Sequence, residues 1–167
     1  PSSRFIADCG GSGPELGYLW VAPESATYRF DTLGSTFDTV VAVLDGAGCL
    51  GTQLTCDNNY YGTQQSGASY ALSAGEVVTV VVDGYNFTEG EFQLNIEKIE
   101  TLCADSLDDD GDALIDCDDP DCFGESTCQP TCPQKALGSA LGAEVASGTT
   151  HPAYNSQYQS SCGGTAA

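Results

Sequence analysis

Between residues 16 and 99 the apolar positions never recur at helical spacing, and this excludes most folds open to a chain of this length. Six short runs rich in Val, Tyr, Phe and Thr follow one another instead, at 16–22, 27–32, 39–44, 69–72, 77–83 and 91–99. Gly, Pro, Asn and Asp punctuate them, as turns between strands require. The third and fifth runs are almost continuous in Val and Leu, so both are expected as central strands covered on two faces. In the last run Phe92, Leu94 and Ile96 alternate with Gln93, Asn95 and Glu97, which predicts a strand with one exposed face. The pattern predicts an all-β fold, an antiparallel β-sandwich of about seven strands. Trp20, Tyr28, Phe30, Val41, Val43, Val80, Val82, Phe92 and Leu94 are its expected core.

A different chemistry follows. Residues 108–119 read Asp-Asp-Asp-Gly-Asp-Ala-Leu-Ile-Asp-Cys-Asp-Asp. Numbered as a twelve-residue calcium loop, the stretch offers carboxylates from Asp108, Asp110, Asp112, Asp116 and Asp119 at positions 1, 3, 5, 9 and 12. Position 7 offers the backbone carbonyl of Leu114, and the apolar Ile115 beside it is placed to anchor the loop to a core. Ca2+ takes six to eight oxygen ligands, which alternating acids on a tight turn supply. Without a cation, so many carboxylates repel one another and hold the segment open, the ordinary state of a solvated acidic linker. Two positions depart from the pattern: Ala113 stands where glycine makes the sharp turn, and Asp119 is one methylene shorter than the usual Glu.

Four basic residues face 24 acids across the chain, a formal charge of −20. The acids crowd between Glu100 and Glu125, so the excess is local. Such a surface repels nucleic acid and anionic lipid and attracts metal cations. Nine cysteines among hard oxygen ligands, with His151 the single histidine, fit a disulfide framework in an extracellular setting better than a zinc site. Cys49 and Cys56 bracket a short connection and are expected to pair. Cys103, Cys117, Cys122, Cys128 and Cys132 surround the acidic loop, where crosslinks replace a missing apolar core. An odd total leaves at least one thiol free or bonded to another chain. The chain shows neither a signal peptide nor a membrane span, and in an excised chain a missing signal is no argument against secretion.

Three regions result: a sandwich over 1–100, an Asp/Cys-rich calcium segment over 101–133, and an almost uncharged tail over 134–167. In the tail Leu137, Leu141, Ala143 and Val145 suit one or two strands that lack companions nearby in sequence. Tyr158-Gln-Ser-Ser-Cys162-Gly-Gly-Thr also parallels Phe5-Ile-Ala-Asp-Cys9-Gly-Gly-Ser. Aligning the two cysteines overlays 154–167 on 1–14.

The segments Glu-Leu-Gly-Tyr-Leu-Trp-Val-Ala-Pro-Glu-Ser-Ala-Thr-Tyr-Arg-Phe-Asp (15–31), Phe-Asp-Thr-Val-Val-Ala-Val-Leu-Asp (37–45) and Leu-Ser-Ala-Gly-Glu-Val-Val-Thr-Val-Val-Val-Asp-Gly-Tyr (72–85) resemble a bacterial pre-peptidase C-terminal domain. These are β-sandwich modules appended to secreted proteases and found in tandem in large surface proteins. The resemblance covers roughly residues 9–97. It implies that a stretch like 137–150 belongs ahead of the Cys-Gly-Gly segment and supplies opening strands. Nothing precedes Pro1 here to do so, and the strand-like material stands at the other end. The family often carries a cysteine where Leu33 stands, as partner to the one at Cys9, so Cys9 and Cys162 lack assigned mates. The acidic segment is similar in ligand logic to thrombospondin type 3 and dockerin loops.

These readings converge on a structural protein. A sandwich lacking its first strand exposes hydrogen-bonding edges, and the tail of one unit can complete the next by strand addition. Repeated in one direction this builds a fibre, from tandem repeats or from separate subunits, with Ca2+ stiffening each joint. The partner is then the chain itself or its neighbouring repeat. A second reading makes the chain an accessory module of a secreted hydrolase that grips glycans or a protein, through Tyr60 and Tyr61 beside Asp57, Asn58 and Asn59. Asp57 and the two asparagines are also the residues that suit a second calcium. An enzyme is the weakest reading: His151 sits in a Thr-His-Pro segment without a nucleophile motif, and the carboxylates crowd one loop rather than span a cleft.

Overall fold

The computed structural model describes residues 5–122 and 125–128; the tail with Leu137, Leu141, Ala143 and Val145, and Cys132 and Cys162, lie outside the described residues. The chain divides between Ile99 and Glu100 into two units.

The first unit is all-β. Its strands are β1 (Leu16–Val21), β2 (Ala26–Asp31), β3 (Thr39–Asp45), β4 (Gln53–Asp57), β5 (Gly67–Leu72), β6 (Val77–Gly84) and β7 (Asn95–Lys98). They form two antiparallel sheets, one ordered β1-β6-β3-β4 and the other β5-β2-β7. No α-helix occurs among the described residues.

The sheets face each other across one apolar layer. Val41 and Val43 of β3 and Val78 and Val80 of β6 pack against Tyr28 and Phe30 of β2 and Ala68 and Leu72 of β5. Trp20 meets Tyr28 and Phe30 edge-on, with ring centroids 4.8 and 5.6 Å apart. Burying side chains of this size stabilises the fold by about 1.5–3 kcal/mol each. The expected core is thus largely the observed one. Val82 is buried, Leu94 packs at the edge of the layer, and Phe92 lies half-buried against Tyr18.

β3 and β6 are central, as their unbroken Val and Leu content requires. Their outer residues Val40, Ala42, Leu44 and Val81 are covered by the N-terminal segment through Phe5, Ala7 and Cys9. Beyond Cys9 the chain turns on Gly10 and Gly11 at φ of 123° and 102°. A Cβ on Gly11 would sit 2.3 Å from the Asp83 carboxylate, so this turn demands glycine for conformation and for space.

Three expectations are corrected. Cys56 bonds Cys9, not Cys49, and Cys49 is a free, exposed thiol. The register explains this: Cys56 pairs with Ala42, Ala42 with Val81 and Val81 with Gly17 across the sheet. The Cys49 sulfur lies beside Gly17, at the far end of that row. Three strand spacings, roughly 14 Å, separate the two, well beyond disulfide reach. Second, 53–57 is a strand, not a plain connection. Third, the last strand pairs only over Asn95–Lys98, because β2 leaves the ladder at Asp31. The next N–H on that side, Leu33's, goes to the Asp31 carboxylate instead, leaving Phe92 and Leu94 without a ladder partner.

Candidate metal centre

The second unit is built on turns and crosslinks. Cys103–Cys122 and Cys117–Cys128 close it, and three short 3-10 turns, Asp116–Asp118, Pro120–Cys122 and Ser126–Cys128, carry the chain between them. Its buried residues among those described are Cys103, Cys122, Glu100 and Asp119. Leu114 and Ile115 are exposed. Ile115 therefore does not anchor the loop to a core, because the described residues of this unit bury no apolar side chain but those of two cysteines.

Residues 108–114 wind into a loop held by its own carboxylates. Asp108 accepts from the backbone N–H of Gly111 at 2.6 Å and of Ala113 at 3.0 Å. Asp110 accepts from Asp112 N–H at 3.2 Å, and Asp112 from Leu114 N–H at 2.7 Å. The chain reverses at Gly111 and Ala113, with φ of 91° and 74°. Ala113 thus adopts the left-handed conformation that glycine would take without strain.

The acids gather into three groups whose ligand atoms lie within 4.8 Å of one another: Asp108, Asp110 and Asp112; Glu100, Asp110 and Asp119; and Glu100, Asp105 and Asp109. Each can hold a metal ion. The structure brings Asp108, Asp110, Asp112 and Asp119 into such groups but not Asp116, whose Oδ1 accepts from Ser106 N–H at 3.1 Å. Glu100 was absent from the sequence expectation. Its signal was available, an acid eight residues ahead of the loop, but no loop template includes that position.

Electrostatics distinguish these acids. Hydrogen bonds from Gly111 and Ala113 hold Asp108 below its ordinary value. Burial pushes Glu100, Asp110 and Asp119 upward, and their acidic neighbours add to the shift. Three carboxyls are therefore drawn toward the protonated form in the absence of a cation.

The polar-aromatic loop of the first unit is built differently. Asp57 Oδ2 accepts from Asn59 N–H at 3.1 Å and Gly67 N–H at 2.9 Å, which shapes the turn. Tyr61 is exposed and its ring lies 4.4 Å from that of Tyr60. Asp57 belongs to none of the acidic groups found among the described residues.

Three disulfides mark a chain that matures in an oxidising, extracellular or cell-surface setting. Among the described residues no helix is long and apolar enough to cross a membrane. No protein-family profile matches the chain, and no solved structure does. Short stretches are similar to teneurins: 50% identity over 50 residues to Teneurin-3 of Mus musculus, covering 26% of this chain. A 31-residue stretch is 61% identical to Teneurin-3 of Danio rerio, covering 19% of the chain. A third, of 36 residues, is 56% identical to Teneurin-1 of Homo sapiens, covering 20%. The matches span only 1–2% of the length of these relatives.

Proposed function

We propose that this chain is a structural repeat of an extracellular assembly, in which a strand from one unit completes the sandwich of the next and Ca2+ and disulfides stiffen the joint. The observation that carries this is the abrupt end of the core at β1. Leu16, Tyr18 and Trp20 face the same layer as Val78, Val80 and Val82, yet Leu16 is 55% exposed and Tyr18 41%. On the opposite face Leu19 and Val21 are exposed as well. β1 is the outermost strand of its sheet, and an apolar, unblunted edge of this kind is a template for strand addition. The strand-forming residues of the tail, Leu137, Leu141, Ala143 and Val145, are its natural occupant.

The Cys-Gly-Gly repeat favours tandem units over separate subunits. In the first unit that motif is bound by its surroundings: Cys9 is used in a disulfide, and Gly10 and Gly11 make a turn that only glycine fits. Cys162-Gly163-Gly164 repeats those very residues, so it begins a further module rather than docking on a unit whose site Cys9 already fills. The pre-peptidase-like pattern of 15–85 supports the same reading. Cys9 is then unavailable to seal subunits together. The role is non-catalytic.

Sedimentation velocity on the full chain tests this reading. Concentration-dependent oligomers are expected, and Leu19→Lys on the β1 edge or Leu141→Pro in the tail should each return a monomer. Proline removes a ladder donor, and lysine blunts the edge. A wild-type chain that stays monomeric at all concentrations overturns strand exchange.

A further inference from the structure

We propose that Glu100, outside the twelve-residue loop, anchors a buried Ca2+ position that it forms with Asp110 and Asp119. The inference rests on the reading above that the acidic segment takes Ca2+, and it says where and by which residues.

Two of the three side chains are withdrawn from water: Glu100 is 2% exposed and Asp119 1%. Each spends one oxygen on a backbone donor. Glu100 Oε2 accepts from Asp109 N–H at 2.9 Å, and Asp119 Oδ1 from Asp121 N–H at 2.6 Å. The second oxygens, Glu100 Oε1 and Asp119 Oδ2, are buried without any hydrogen-bond donor. A buried carboxylate oxygen left unpaired is strongly unfavourable, so a native fold that holds two side by side calls for a positive partner. The segment offers none itself, since the sequence contains no Lys, Arg or His between residues 100 and 128. A cation meets the demand. Oxygens bound to one Ca2+ at its usual distances lie no more than about 5 Å apart, and these three carboxylates offer atoms within 4.8 Å. An all-oxygen set of acids selects a hard cation over zinc or copper.

This placement also accounts for the weak end of the loop pattern. Position 12 normally carries a Glu long enough to grip the ion with both oxygens, and here it is Asp119. Glu100 supplies the longer carboxylate from upstream, and Asp116, which the linear numbering recruits, is left to hold the Ser106 amide.

Calorimetric titration of the chelator-stripped full chain with CaCl2 provides the test, comparing wild type, Glu100→Gln and the exposed control Asp118→Asn. Glu100→Gln should weaken the tightest site by about 30-fold or more, the effect expected for removing one member of a buried charge pair. Asp118→Asn should titrate as wild type does. If wild type binds Ca2+ and Glu100→Gln binds it equally well, this site is wrong while calcium binding stands. If wild type takes up no Ca2+, both readings fall together. Limited proteolysis in EDTA separates ligation from a merely structural role. A ligand glutamate leaves an unpaired charge when stripped, so stripped Glu100→Gln should resist cleavage at least as well as stripped wild type. Faster cleavage of the stripped variant would mark Glu100 as structural and end the proposal.

Discussion

Residues 16–98 keep their shape by withdrawing Val, Phe and Leu from water, whereas residues 100–128 bury a glutamate, an aspartate and two cysteines and leave their leucines outside. The first region follows the usual logic of a sandwich. Its charged groups lie around the apolar layer, and the buried Asp31 is satisfied by Leu33 N–H at 3.0 Å and the Asn95 amide at 2.7 Å. Arg29 pairs with Asp31 and Glu97, and Lys98 with Glu24. The second region has no basic residue of its own, and its described residues bury no apolar side chain but those of two cysteines. Two disulfides and its own loop hydrogen bonds hold it. A segment too acidic to collapse can thus still be ordered when covalent links and backbone hydrogen bonds hold its acids together.

The comparison breaks if damage to one region spreads to the other. Phe30→Ala should produce the largest effect. Removing a fully buried ring costs about 3–5 kcal/mol, seen as a lower sandwich melting temperature, while the protease sensitivity of 100–128 stays as it was. Loss of both together would show a single cooperative unit. Next comes the paired substitution Cys117→Ser with Cys128→Ser. Opening that crosslink should cost the acidic segment about 3 kcal/mol, read as rapid cleavage there, with the near-ultraviolet signal of Trp20 unchanged. The smallest effect sharpens the account of the loop. Ala113→Gly relieves a left-handed alanine and should raise the resistance of the stripped segment by up to about 1 kcal/mol; a destabilised loop would mean that the positive φ carries no strain.

How much of this was legible varies with the reach of the interaction. Six strands were readable because alternation and β-branched runs are local properties of the chain. β4 was not, since Gln-Leu-Thr-Cys-Asp holds one aliphatic residue and is a strand only because β3 presents an edge to it. The central positions of β3 and β6 were readable because residues buried on both faces must be apolar on both. Asp108, Asp110 and Asp112 were readable as a group since they lie on one turn, while Asp116, read as a ligand too, stands outside the three acid groups with its Oδ1 on the Ser106 amide.

By itself the sequence determined what each stretch is made for: strands where β-branched residues cluster, turns where glycine is needed, and a negative segment unable to neutralise itself. Tertiary structure alone decided which distant groups meet. Cys9 reaches Cys56 across 47 residues, Cys49 is carried to the opposite edge of the sheet, and Glu100 turns back on Asp110 and Asp119. The reason is one of range. Periodicity and charge act between neighbours in the chain, whereas bonding partners and ligand sets are chosen by proximity in space, which exists only after the sheets have packed and the crosslinks have closed.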